Sequence, residues 1–581
     1  MSQHRDPAEL LARVARWIED DPDPATREEL EALLGARDTK ALFERFDGEL
    51  VFGTAGIRGE IGAGPLRMNR AVVARATAGV CKALADHVKD ARERGIVVGY
   101  DGRHMSRELA EETCAVAAGF GIRVRLFEQV VPTPVLAYAV TAERAAGGVM
   151  VTASHNPARD NGYKVYWENG AQIIPPADQH IARAMTEVGS LRALPRMARD
   201  ERRARGLEVS LGAALEARYL AAVHALVGPG GAQAEKVQLA YTALHGVGER
   251  FVRAALAQAG FAKLATVAEQ AEPDPDFPTV AFPNPEEAGA MDRVQALADA
   301  VEADLALAND PDADRLCVAV RGESGALQLL SGNQIGVLLA EYLLARDKEP
   351  EQCAVLSSIV STPMIAGVAA AHGSIWEPTL TGFKWIANRA MELERGGVQR
   401  CVLGFEEALG YSAGSLVRDK DGVSTAVLVA RVCADAKAQG RTLLDLLADL
   451  YREHGVYLSG QVSLRMGPDG QRAMMSRARS APPAVLAGRK RLATIDLLNG
   501  AVDGTPSFRP KLPASDVLIW ELEGGQRVIV RPSGTEPKLK LYIDVREPVA
   551  AGEPLADASV RGTALLAEMT EAVRAYATAG G

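Results

Sequence analysis

The chain has 581 residues, 48% of them hydrophobic and 24% charged, with a formal net charge of −10. That length exceeds what one core organises and predicts several domains, while the ordinary globular composition excludes a disordered or fibrous chain. The acidic balance argues against nucleic acid or an anionic membrane surface as the main partner, so any phosphate site must be built locally.

Residues 1–10 are polar and lack the apolar run of a secretory signal, and no later stretch approaches membrane-spanning length. The six cysteines, at 81, 114, 317, 353, 401 and 433, are widely spaced without a C-x-x-C pair. That spacing fits neither a zinc site nor a disulfide framework and predicts a soluble protein of the reducing cytoplasm.

Before residue 45 the pattern predicts two helices. Asp6 would cap the first, Pro7 would take its first turn, and Leu10, Leu11, Val14, Trp17 and Ile18 repeat at helical spacing. A β-α alternation follows, with strands over 96–99, 122–127 and 148–152 and a helix capped by Ser106. The stretch 189–206 is rich in Arg, Pro and Ala without a clear period and is read as a linker. Arg202, Arg203 and Arg205, like Arg489, Lys490 and Arg491 further on, are read as solvated faces.

A second α/β unit has strands over 237–242 and 305–308 and a helix over 249–259. The pattern restarts after Gly332, with a helix through Arg346, a strand over 354–360 and a helix over 383–394. Three such units in a row suggest a repeated fold without a fixed sequence period. Beyond Gly455, short strands over 517–522, 527–531 and 539–545 and a helix from about Asp557 predict a smaller α+β domain.

Five segments carry candidate chemistry. Asp310-Pro311-Asp312-Ala313-Asp314-Arg315 follows an apolar strand, and in an extended segment its alternate carboxylates would face one point. Pro311 favours that extended reading, and hard oxygen ligands suit Mg²⁺, although a solvated acidic loop fits the same residues. An EF-hand does not fit, because Arg315 stands at its sixth position and Arg321 at its twelfth. Thr152-Ala153-Ser154-His155-Asn156-Pro157 places a hydroxyl beside an imidazole at the carboxyl edge of a strand, where α/β folds bind ligands; a polar turn is the alternative. Lys164 lies close behind it.

Arg531-Pro532-Ser533-Gly534-Thr535 joins a guanidinium, two hydroxyls and a glycine turn, as a phosphate cradle or a surface hairpin would. Glu406 and Glu407 end an apolar run and can accept hydrogen bonds from sugar hydroxyls. Arg58 sits in the glycine-rich loop Phe52-Gly53-Thr54-Ala55-Gly56-Ile57-Arg58-Gly59. Each of these last two also fits an ordinary loop. No P-loop and no dinucleotide fingerprint occurs.

Taken in order, from about residue 50 to 545, these segments resemble the α-D-phosphohexomutase superfamily of phosphoglucomutases and phosphomannomutases. The resemblance implies an α/β fold in which three related α/β domains and a smaller C-terminal α+β domain surround one central cleft. After the helical arm read at 1–45, the expected domains are a phosphoserine domain at 46–195, a metal-binding domain at 207–322, a sugar-binding domain at 330–455 and a phosphate-binding domain at 495–578. The resemblance implies that Ser154 carries the phosphoryl group, with His155, Lys164 and Arg58 beside it. Mg²⁺ would be held by Asp310, Asp312, Asp314 and an oxygen of phosphorylated Ser154.

Arg315 matches a residue near the phosphoryl group. The segment Thr381-Gly382-Phe383-Lys384 matches one whose lysine moves a proton or positions substrate. Glu406 and Glu407 match the sugar-reading loop, and Arg531, Ser533, Gly534 and Thr535 match the loop that holds the other phosphate. Ala55 and Ala408 depart from the hydroxyl residues common at those positions, which puts specificity contacts in doubt. Gly404-Phe405-Glu406-Glu407-Ala408-Leu409-Gly410-Tyr411, with Asp419-Lys420-Asp421-Gly422, looks most like the glucose and pentose phosphate mutase branch. The expected activity is interconversion of glucose 1-phosphate and glucose 6-phosphate, with glucose 1,6-bisphosphate as intermediate and activator. Phosphomannomutase, phosphopentomutase and, from another class, metal-dependent phosphatase activity are the alternatives. The expected partners are small sugar phosphates, and oligomeric state is not legible.

Overall fold

The computed structural model describes residues 7–50, 56–231, 233–322, 324–397, 399–508, 511–533 and 538–579. Two bodies divide the chain, one taking Met1–Leu329 and Gly410–Asp435, the other Leu330–Leu409 and Ala436–Gly581.

In the first body the amino-terminal arm forms three helices, not two: Pro7–Asp20, Pro24–Gly35 and Thr39–Phe46. The break comes at Asp21 and Asp23. Asp21 accepts from the Asp23 amide and the Thr26 hydroxyl, and Asp23 caps the second helix by accepting from the Ala25 amide. Short acidic side chains here compete with the helical backbone and start a new helix. Asp6 lies outside the described residues.

The first sheet runs in the spatial order Ile57–Glu60, Asp160–Trp167, Gly147–Val151, Ile96–Tyr100, Val124–Phe127, Glu208–Leu211. The last four strands are parallel, and apolar side chains of the first three of these build a core with Val80, Leu84, Leu109 and Cys114 from flanking helices. Glu208–Leu211 therefore completes this sheet, although the sequence reading begins a new domain at 207.

Two expectations for this body are corrected. Ser106 does not cap its helix; it is the first residue of Ser106–Gly119, and its hydroxyl donates to Asp101 Oδ1 at 2.6 Å. The 189–206 stretch is not an unstructured linker, although Arg203 and Arg205 are exposed as expected. It contains the helix Arg199–Ala204, and Arg202 is buried, donating to Glu208 at 2.7 Å and Glu111 at 2.7 Å. A charged side chain can be buried there because its donors meet carboxylates.

In the second sheet Leu305–Ala308 is buried on both faces between the parallel Gln238–Thr242 and the antiparallel Cys317–Arg321. Its four apolar residues lead straight into the acidic loop at its carboxyl end.

In the second body Cys353–Ser358 lies between two parallel strands, Ile375–Thr379 and Arg400–Glu406. The helix Gly332–Arg346 begins with a reciprocal capping box between Ser331 and Gln334. An antiparallel sheet follows, in the order Val456–Arg465, Lys538–Glu547, Gln526–Pro532, Leu518–Leu522, Arg489–Asp496. Its first strand in the chain, Val456–Arg465, follows Gly455 directly and pairs along its whole length with Lys538–Glu547. One face packs Trp520, Val528 and Ile543 against Met474 and Met475 of one helix and Met569 and Val573 of another. The other packs Ile519 and Ile529 against Ile359, Val360 and Leu380.

Candidate active site

Ser154 stands just beyond the strand Gly147–Val151, almost wholly buried, with φ of 54°. That left-handed backbone costs a non-glycine residue about 1–3 kcal/mol and persists only where the surroundings over-determine it. Here they do. The Ser154 amide donates to Thr152 Oγ1 at 2.8 Å, and the buried Arg103 donates to the carbonyls of Ser154, Asn156, Pro157 and Asp160 at 2.5, 2.6, 2.8 and 3.2 Å. The loop presents Ser154 Oγ to Asp310 Oδ2 at 2.9 Å and to His155 Nδ1 at 3.1 Å.

Asp310, Asp312 and Asp314 are buried, and one oxygen of each lies within 4.8 Å of the others. The expected convergence is present, but its cause differs from the extended alternation predicted. The chain turns: the Ala313 amide donates to the Asp310 carbonyl at 2.8 Å, and Ala313 has φ of 52°. The turn is closed from outside by the amide of Gly422, which donates to the Ala313 carbonyl at 3.2 Å. A Cβ at Gly422 would lie 2.4 Å from both the Arg315 carbonyl oxygen and Asn309 Nδ2, so only glycine allows this approach.

Cations meet the cluster from several elements. Lys164 Nζ donates to Asp312 Oδ2 at 2.7 Å and Asp314 Oδ2 at 3.1 Å. Lys420 Nζ lies 3.1 Å from Asp314 Oδ2 and 3.2 Å from Asp419 Oδ1. The Thr133 hydroxyl donates to Asp312 at 2.5 Å, and the Arg315 amide donates to Asp310 Oδ1 at 3.0 Å.

These contacts set the protonation of the site. Burial, then repulsion from Asp314 and Asp312, pushes the Asp310 carboxyl well above its ordinary range. Burial acts the same way on Asp312, but the Lys164 ammonium outweighs it and holds that carboxyl below its usual value. Desolvation, then the Arg315 and Arg58 guanidinium groups, lowers His155 well below an ordinary imidazole. Neutral His155 is therefore available as a proton acceptor beside the hydroxyl.

Asp312 Oδ1 and Asp314 Oδ1 are buried without a hydrogen-bond partner. Orphaned carboxylate oxygens, a mutually repelling triad and an all-oxygen donor set fit a hard divalent cation. Among the described residues this is the group of acidic, histidine or cysteine side chains that could hold a metal ion.

The remaining candidates lie in the second body, apart from Arg58, whose charge acts on the triad from the strand Ile57–Glu60. Gly382, next to Thr381, donates its amide to Glu406 Oε1 at 2.7 Å. Lys384 is largely buried, with Nζ 5.8 Å from the Trp385 ring centroid. Glu407 Oε2 accepts from the Ser358 and Ser361 hydroxyls at 3.0 Å each. Arg531 is the penultimate residue of the strand Gln526–Pro532, and the Ser533 amide donates to the Lys538 carbonyl at 2.8 Å. Gly534 and Thr535 lie outside the described residues, as do Phe52 to Ala55.

Sequence reasoning missed Arg103, Thr133 and the placement of Lys420. Arg103 follows the strand Ile96–Tyr100, at the same carboxyl edge as Ser154, so the rule that flagged Ser154 points to it as well. Lys420 was read only as a branch marker, and nothing local in the sequence joins positions 314 and 420.

The fold brings Ser154 and three aspartates together at the carboxyl ends of strands, and comparison with known proteins gives the class of enzyme. Family models describe phosphoglucomutase/phosphomannomutase α/β/α domains I, II and III and the C-terminal domain at residues 49–192, 217–324, 331–454 and 514–561. A Haemophilus influenzae protein named "Probable phosphomannomutase" is 40% identical over 87% of this chain and 97% of its own length. A mouse protein named "Phosphopentomutase" is 35% identical over 94% and 92%. A crystal structure of a phosphoglucomutase/phosphomannomutase family protein from Burkholderia thailandensis shares the fold, with a TM-score of 0.66 at 19% identity over 91% of this chain and 98% of that one. The chain belongs to the phosphoglucomutase/phosphomannomutase family, the α-D-phosphohexomutase superfamily, and is a phosphosugar mutase.

Proposed function

We propose that the chain moves a phosphoryl group between the anomeric and terminal hydroxyls of one sugar through phosphorylated Ser154. The observation that carries this reading is the 2.9 Å approach of Ser154 Oγ to Asp310 inside a buried acidic cluster. The hydroxyl is fixed by a strained loop, and neutral His155 lies beside it to take or return its proton. Asp310, Asp312, Asp314 and phosphorylated Ser154 would hold Mg²⁺, which offsets charge on the phosphoryl oxygens.

In the proposed cycle phosphorylated Ser154 gives its phosphoryl group to the free sugar hydroxyl, and the serine hydroxyl is restored. The bisphosphate reorients, and its other phosphate returns to Ser154. Arg58, Lys164 and Arg315 counter the transferring charge. Lys384 positions substrate or moves a proton, and Thr381 and Gly382 set the segment that carries it. Glu406 and Glu407 read sugar hydroxyls, while Arg531, Ser533, Gly534 and Thr535 hold the phosphate that is not transferred. Glucose 1,6-bisphosphate would prime the serine.

The motif wording favours glucose phosphate as substrate. Pentose phosphate is a second reading, favoured by the whole-length likeness to a phosphopentomutase. Free, buried cysteines support a cytoplasmic setting, and no described helix is long and apolar enough to cross a membrane. Comparing glucose, mannose and ribose 1-phosphates under identical conditions tests the assignment. The glucose reading requires the highest kcat/KM with glucose 1-phosphate; preference for ribose 1-phosphate replaces it with the pentose reading, and release of free phosphate without isomerisation contradicts both.

A further inference from the structure

Glu407 is held by a chain of polar contacts that begins in the antiparallel sheet. Arg527 is buried on the strand Gln526–Pro532, directly opposite Asp544. Its Nε and Nη2 donate to Asp544 Oδ2 at 2.9 and 2.6 Å, and Nη2 also donates to the carbonyl oxygen of Ser361 at 2.7 Å. A buried guanidinium with its fork anchored on a carboxylate has little freedom, so the carbonyl it reaches is fixed with it.

Ser361 passes that constraint on. Its hydroxyl donates to Glu407 Oε2 at 3.0 Å and accepts from the Glu407 amide at 3.1 Å, gripping the residue at both ends. Ser358 lies 2.9 Å from Ser361 Oγ and 3.0 Å from the same Glu407 oxygen. On the backbone side a Cβ at Gly332 would lie 2.0 Å from the Glu407 carbonyl oxygen, so the start of the helix Gly332–Arg346 presses on the same residue. All the hydrogen bonds to the Glu407 carboxylate from the described residues fall on Oε2, which leaves Oε1 for a ligand.

We infer that Arg527 is a positioning residue for sugar recognition, acting through Ser361 to aim Glu407 Oε1. This rests on the proposed role of Glu407 and extends it to a residue outside the family motifs. A held carboxylate binds a sugar hydroxyl without first losing its own rotamer freedom, so loosening it weakens binding more than chemistry.

The test uses the full chain and steady-state kinetics with glucose 1-phosphate, beside thermal unfolding. Arg527→Met with Asp544→Leu removes both buried charges together, which avoids stranding either one. Ser361→Ala cuts the same chain at its other end, and Arg527→Lys, which keeps a charge opposite Asp544 but loses the forked reach to the Ser361 carbonyl, decides the matter if the double variant does not fold. The inference expects each of these changes to raise KM about tenfold, with kcat within about twofold, the scale of one or two lost hydrogen bonds. With Glu407→Gln already present, the same changes should add less than about twofold, because their effect passes through that carboxylate. If Glu407→Gln raises KM but the Arg527 and Ser361 changes leave it unaltered, the positioning role is wrong and the reading of Glu407 stands. If Glu407→Gln itself leaves KM unaltered, both are wrong.

Discussion

Lys164 Nζ lies between Asp312 and Asp314, 2.7 and 3.1 Å from one oxygen of each, in a site almost closed to solvent. One ammonium thus meets two carboxylates and leaves the other oxygen of each without a hydrogen bond. The cluster holds more negative charge than Lys164 can offset, which is why it suits a divalent cation.

Asp312→Ala should lower kcat on the order of hundredfold, because it removes a proposed metal ligand and frees Lys164 from its shorter contact. Bound Mn²⁺ measured by electron paramagnetic resonance should fall in parallel, with an unchanged circular dichroism spectrum. Wild-type Mn²⁺ binding in the variant contradicts the ligand assignment.

Arg103 spans four carbonyls of the Ser154 loop and lies 3.4 Å from Asp101. Arg103→Met should destabilise the fold by about 3–5 kcal/mol, since it strands a buried carboxylate and removes the donors that hold the loop. Chemical denaturation checks this. A loss below about 1 kcal/mol means that the loop is held by other contacts.

Glu208 gives the protein a pH dependence away from the active site. Burial raises its carboxyl, but hydrogen bonds from Arg202 and Arg199 outweigh burial and hold it below the ordinary value of 4.5. A depressed pKa means stability that is present in full above 4.5 and is lost as pH falls through the folded value. Glu208→Gln should therefore cost about 1.5 kcal/mol at pH 7 by weakening the charged contacts to Arg202 and Arg199, Arg202 keeping its contact with Glu111, and the gap to wild type should close progressively below pH 4.5. Denaturation curves at pH 7, 5 and 3.5 measure it, and an equal gap at all three contradicts the pairing.

Much of this was legible because it is local. The apolar run Leu305–Ala308 ending in three aspartates, and Ser154 after Gly147–Val151, are strand-end signals that need no tertiary knowledge. The aspartates converge as expected, yet through a turn at Ala313, because a left-handed alanine leaves no mark in a sequence pattern. Arg202 looked solvated for a similar reason: its partners Glu111 and Glu208 are set by packing. Lys420 and the Arg527–Ser361 contact escaped for the same cause, as each joins segments more than 100 residues apart.

Arg531→Ala should lower kcat/KM about tenfold or more in both directions, because in the proposed cycle each phosphate of the sugar uses the same clamp in turn and a guanidinium–phosphate contact is worth about 1.5–3 kcal/mol. Initial rates from the 1-phosphate and from the 6-phosphate test it. An effect in one direction alone rules out a shared clamp.

The central claim is that Ser154 carries the phosphoryl group, and incubation with labelled glucose 1,6-bisphosphate followed by peptide mapping tests it most directly. The account predicts label on the peptide that contains Ser154, and a Ser154→Ala protein that binds sugar phosphate but takes up no label and has no mutase activity. Label confined to another residue, or full mutase activity in Ser154→Ala, would contradict it.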